Sequence, residues 1–74
     1  MFDKLVEIMV NYVDVDPEDV AMDTRFVEDL GFTSFDFMSL LGEIETELDV
    51  SIDTDKVADI RTVGEAVEYL ESLV

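Results

Sequence analysis

The chain has 74 residues, 20 of them acidic and 4 basic, with no cysteine and no histidine, and its formal charge is −16. That length allows one small domain over residues 1–74, whose thin apolar core has no disulfide or thiolate-metal site to reinforce it. The charge excludes unaided binding to nucleic acid or to an anionic membrane, because both rely on Lys and Arg to meet phosphates.

An apolar fraction of 49% argues for folding in spite of this self-repulsion. Folding is expected to weaken at low ionic strength, since exposed charges are screened beyond about 8 Å at physiological salt. Thermal midpoints should therefore rise across a NaCl or Mg²⁺ titration, and flat midpoints would contradict the reading. No apolar run is long enough to span a bilayer, and "MFDKLVEIMV" is acidic and amphipathic where a secretory signal has a basic head and a continuous apolar stretch. A cytoplasmic monomer without membrane insertion is the expectation.

In chain order, Phe2, Leu5, Val6, Ile8, Met9, Tyr12 and Val13 recur at the i, i+3, i+4, i+7 spacing of a one-faced helix. This first helix should end between Tyr12 and Asp14, because "DVDPED" places Pro17 after Asp16 and biases that residue away from helical angles. Residues 15–33 form a long connection with one short helical turn expected near Pro17–Val20. Val20, Met22, Phe26, Val27, Leu30 and Phe32 should pin it across the helices.

A second helix is expected over Ser34–Leu48, with Phe37, Leu40, Leu41, Ile44 and Leu48 as its core stripe. Phe35, Met38, Ser39, Gly42 and Thr46 fall to one side of that stripe, while Asp36, Glu43 and Glu47 point towards water. "DVSIDTDKVADI" reads as an extended crossing through Val50 and Ile52, then a short helical piece over Thr54–Asp59 with Val57 and Ile60 inward. In "RTVGEAVEYLESLV", Thr62 and Glu65 have capping-box spacing ahead of a last helix. No strand alternation is visible, and the fold class is all-α: a small four-helix bundle of three longer helices and one short one.

Without His or Cys, Ser–His and Cys–His nucleophile pairs are impossible, and the chain is read as no enzyme. The alternating acids of "DVDPED" and "DTDKVAD" fail as calcium loops. Asp19 and Ala58 stand where the turn glycine is required, and Arg25 and Gly64 stand where the terminal Glu belongs. No metal site is assigned.

"EDLGFTSFDFMSLLGEIETEL" puts Thr33 and Ser34 together at the start of the second helix. A single side-chain oxygen suffices to cap a helix, and Thr33 supplies one. Gly31 permits a tight turn just before the pair, and Ser34 opens a helix whose N-terminus favours an attached phosphate. Capping and attachment are both open to Ser34 on these grounds.

The same stretch resembles the acyl and peptidyl carrier proteins, which bear 4′-phosphopantetheine on a serine. Leu30, Gly31, Thr33, Ser34, Phe35 and the acidic amphipathic helix behind them carry the likeness, and the order of helices extends it over the whole chain. Two positions depart from the family pattern. Thr33 stands where an aspartate is usual and keeps the capping oxygen without the charge, and Phe35 stands in place of a leucine.

The resemblance implies a covalent 4′-phosphopantetheine on Ser34, taken from coenzyme A by a phosphopantetheinyl transferase. It implies partners that load and process acyl or aminoacyl groups through basic docking patches, in fatty acid, polyketide or related biosynthesis. On this reading Asp29, Asp36, Glu43, Glu45 and Glu47 steer those partners while Phe35 and Met38 supply apolar contact. Phe35 is alternatively a staple against Phe32, and Met38 alternatively core. Phe37, Leu41, Ile52, Val57 and Ile60 serve equally as core or as walls for an acyl chain, so no acyl pocket is assigned. Two other readings stay open: an unmodified acidic interaction module of the same fold, and an aminoacyl, D-alanyl or peptidyl carrier.

Overall fold

The computed structural model describes all 74 residues. It contains α1 (Phe2–Met9), a 3₁₀ turn (Pro17–Asp19), α2 (Ser34–Leu48), α3 (Thr54–Val57) and α4 (Val63–Leu73). The architecture is the expected helical bundle, with no strand beyond an isolated bridge between Arg25 and Thr62. No helix is long and apolar enough to cross a membrane.

α1 is shorter than its apolar spacing suggests. After Met9 the chain tightens, with Asn11 N–H donating to Ile8 O at 3.1 Å and Tyr12 N–H to Met9 O at 2.9 Å. Asn11 is a weak helix former, and the tighter turn brings the Tyr12 hydroxyl to Glu43 of α2, where it donates to Oε1 at 2.7 Å. The chain leaves α1 through turn bonds, Val13 N–H also donating to Met9 O at 3.3 Å, while the Tyr12 side chain ties this turn to α2. The adjacent Glu43 carboxylate, as acceptor and as like charge, raises the Tyr12 phenol above its ordinary range.

α1 packs against both α2 and α4. Leu5, Met9, Leu40, Ile44, Val63 and Leu70 from these helices are almost wholly buried, and no buried residue is polar or charged. Hydrophobic burial therefore stabilises the interior without buried ion pairs, and the acids stay at the surface, where water screens them.

The long connection contributes to this core as its apolar residues predict. Phe26 lies 2% exposed and packs edge-on to Phe32 (centroids 5.6 Å) and tilted against Phe37 of α2 (5.1 Å). Aromatic pairs in such geometries add to the stabilisation from burial. Val20 is also buried, whereas Met22 and Val27 stay exposed because their segment is held by backbone hydrogen bonds instead. Phe26 N–H donates to Arg61 O at 3.0 Å, Val63 N–H to Thr24 O at 2.9 Å, and Gly64 N–H to Met22 O at 2.7 Å.

The last of these bonds explains why a glycine sits in the first turn of α4. A Cβ at Gly64 would lie 2.8 Å from the Met22 carbonyl oxygen, and that backbone atom has no easy retreat. Gly64→Ala should cost about 1–3 kcal/mol, the range for overpacking, despite the helix preference for alanine. A urea midpoint equal to or above wild type would refute the close approach.

The N-terminus of α4 has the expected capping box. Glu65 N–H donates to Thr62 Oγ1 at 3.2 Å, and Thr62 N–H donates to Glu65 Oε1 at 3.0 Å. The short helix is clipped to Thr54–Val57, with Asp53 as its N-cap, and Asp53 N–H donates to the Tyr69 hydroxyl at 2.8 Å. Val57 is buried and Ile60 half-buried, both inward as expected.

Candidate functional site

Thr33 and Ser34 occupy different positions at the start of α2. Thr33 is the N-cap: its Oγ1 accepts from Asp36 N–H at 3.1 Å, and its own N–H donates to Asp36 Oδ2 at 3.3 Å. This reciprocal box satisfies two otherwise free backbone donors. Ser34 is the first helical residue, exposed to solvent, and its hydroxyl takes no part in the cap. Gly31 sets up the approach with φ +73°, a left-handed angle that costs a side-chain-bearing residue roughly 1–2 kcal/mol.

Two shallow grooves meet at Ser34. One, of about 170 Å³, runs over Phe26, Val27, Phe37 and Ile60 and includes Glu28 and Arg61. The other, of about 270 Å³, runs over Phe37, Met38, Thr54, Val57 and Ile60. Of the positions that could wall an acyl chain, Phe37, Val57 and Ile60 line these grooves. Leu41 is buried and Ile52 half-buried, and neither lines them.

Apolar side chains flank the serine on its open side. Phe35 is 79% exposed and Met38 48%. Phe35 does not act as a staple, since Phe32 turns inward onto Phe26.

Each of the five acids expected to steer partners has an internal contact that sequence alone does not reveal. Asp29 accepts from Arg25 three times, from the backbone N–H at 2.8 Å and from Nη2 and Nε at 3.1 and 3.3 Å. The guanidinium hydrogen bond first, and then the backbone N–H, hold the Asp29 carboxyl below its ordinary range. Asp36 closes the capping box, Glu43 is half-buried under the Tyr12 hydroxyl, Glu45 accepts from Ile52 N–H at 2.9 Å, and Glu47 lies 3.6 Å from Lys4. Asp29 and Glu47 each face a cation, whereas the groups that donate to Asp36, Glu43 and Glu45 are neutral. Arg25 carries a signal in the sequence, standing three and four residues before Glu28 and Asp29, the spacing of side chains that meet on one turn. The Tyr12–Glu43 pair, far apart in the chain, carries none.

No group of three or more acids is arranged to hold a metal ion. Ser34 is an exposed serine at the head of a long helix, and its hydroxyl is not used in the cap. The family profile described as a phosphopantetheine attachment site matches residues 3–70. The chain belongs to that family.

This carrier is 37% identical over 73 residues to an acyl carrier protein from a Sulfurovum species, covering 99% of this chain and 97% of that one. It is also 37% identical over 70 residues to an acyl carrier protein of Clostridium perfringens, at 95% and 92% coverage. In structure it matches a Mycobacterium tuberculosis chain described as a candidate acyl carrier protein, with a TM-score of 0.85 over 97% of each chain and 23% identity, a likeness of fold. Like these acyl carrier proteins, it is a carrier and not an enzyme, and the family's cofactor is a covalent 4′-phosphopantetheine.

Proposed function

We propose that Ser34 Oγ is the attachment point of the phosphopantetheine arm, and that the chain holds acyl intermediates for biosynthetic enzymes in the cytoplasm. The observation that carries this reading is the exposed Ser34 hydroxyl at the first turn of α2, beside a capping box that Thr33 completes without it. The surroundings fit the group: the hydroxyl is open to a transferase, and grooves with apolar walls leave it on two sides. When attached, the arm supplies a terminal thiol that holds cargo as a thioester, and the chain has no cysteine to compete for that cargo.

The chain's own residues present and steer. Ser34 is held on a helix end that Thr33 and Asp36 fix, and Phe35 and Met38 offer apolar contact beside it. Asp36, Glu43 and Glu45 set the negative field that draws basic patches of a phosphopantetheinyl transferase and of loading or processing enzymes. The name shared by the similar relatives supports an acyl cargo, in fatty acid or polyketide assembly, over an aminoacyl one.

Incubating the purified protein with coenzyme A and a broad-specificity transferase should add the mass of one arm to the intact chain. No gain with several transferases would favour an unmodified interaction module. Exposure of the loaded protein to acyl and aminoacyl ligases then separates the cargoes. Phe35→Ala should leave stability unchanged, because the ring is exposed, yet weaken docking to the transferase by about 2 kcal/mol, the scale of an interface anchor. Unchanged transferase affinity in that variant would remove Phe35 from the docking surface.

A further inference from the structure

Two grooves leave Ser34, and the arm attached there has a choice of course. One groove carries Val27, Glu28 and Arg61, and the other carries Met38, Thr54 and Val57. Arg61 is the only basic residue lining either. Two of the other three cations are committed elsewhere: Lys4 to Glu47 at 3.6 Å, and Arg25 to Asp29 at 3.1 Å and Glu28 at 3.8 Å. The third, Lys56, lines neither groove.

The Arg61 guanidinium makes no ion pair within the chain, although its backbone is fixed on both sides. Its N–H donates to Glu65 Oε1 at 3.0 Å, and its carbonyl accepts from Phe26 N–H at 3.0 Å. With its backbone anchored and no ion pair of its own, the Arg61 head is available to an anion, Glu65 being the acid that already feels its charge. Glu28 is the opposing charge in the groove, and Arg25 partly neutralises it.

An arm joined through a phosphodiester brings one negative charge, fixed by its covalent bond near Ser34. In a chain of net charge −16 that anion is repelled from almost every direction. Guanidinium is the side chain best shaped to meet phosphate oxygens, through paired N–H donors.

Resting on the assignment of the arm to Ser34, we propose that Arg61 is a positioning residue that pairs with the arm's phosphodiester and lays the arm along the Val27–Arg61 groove in preference to the Met38–Thr54 groove. The exposed Val27 then gives the arm's methylenes an apolar wall.

The test uses the holo protein with a nitroxide attached to the arm thiol, and reads paramagnetic broadening of backbone amides. Val27, Glu28 and Arg61 should broaden more than Met38 and Thr54. In Arg61→Gln the contrast should vanish, and the phosphorus resonance should shift. Arg61→Lys should restore much of both, whereas Lys56→Gln should leave both as in wild type. Raising NaCl should erode the contrast in the wild-type holo protein, a reading that needs no variant. Even broadening, stronger broadening at Met38 and Thr54, or a contrast indifferent to both Arg61→Gln and salt would overturn the proposal. A chain that takes no arm at Ser34 overturns the attachment assignment as well, whereas a loaded chain with even broadening overturns only the role of Arg61.

Discussion

Ser34→Ala should abolish the mass gain that coenzyme A and a transferase produce, and should do so without disturbing the fold. The hydroxyl takes no part in capping α2, and alanine is the strongest helix former, so stability should stay within about 0.5 kcal/mol of wild type. Thr33→Ala should behave in the opposite way. It removes the oxygen that accepts from Asp36 N–H and should cost about 1 kcal/mol, yet Ser34 should still be modified. Intact mass and a thermal melt on both variants give a double dissociation. Persistent mass gain in Ser34→Ala would move the attachment point, and a large loss of stability there would mean that the serine is structural after all.

Phe26→Ala should bring the largest loss of stability. The ring is 2% exposed, joins Phe32 to Phe37, and sits where the long connection meets α2. Truncating such a residue typically costs about 3–5 kcal/mol. At roughly 0.05–0.15 kcal/mol per residue, a chain of this length has about 4–11 kcal/mol in hand, so the loss is a large share of it. The urea midpoint should fall steeply. The loss should also reach Ser34, because Phe37, against which Phe26 packs, lies one turn further along α2. A midpoint near wild type would mean that the connection folds independently of this ring.

The parts of this structure that were legible in the sequence are those set by local rules. The 3.6-residue period placed α2 and its stripe of Leu40, Leu41 and Ile44. The spacing of Thr62 and Glu65 announced the α4 cap, and Thr33 offered a capping oxygen beside Ser34, whose freedom from the cap the Thr33–Asp36 contacts show. What escaped depends on contacts between distant residues. The turn that follows α1 is tied to α2 by the Tyr12–Glu43 bond, and Met22 and Val27 stay exposed while backbone bonds to α4 hold their segment. The acids that look like a free solvated face each take a partner in three dimensions, such as Glu45 with the Ile52 N–H and Glu47 with Lys4. An isolated acid in a string of letters carries no mark of such a contact.

The backbone bonds between the connection and the start of α4 also impose an order in time. While the chain is being made, the local contacts within α1 and within α2 become available as soon as their residues emerge. Thr24 and Phe26 must wait for Arg61 and Val63, and Met22 for Gly64. The surroundings of Ser34 are thus completed only when residues 61–64, well beyond it in the chain, have been made. A nascent or truncated chain ending before Arg61 exposes the serine without these backbone partners, so an enzyme that reads the seated connection would distinguish chains that have reached Gly64 from those that have not.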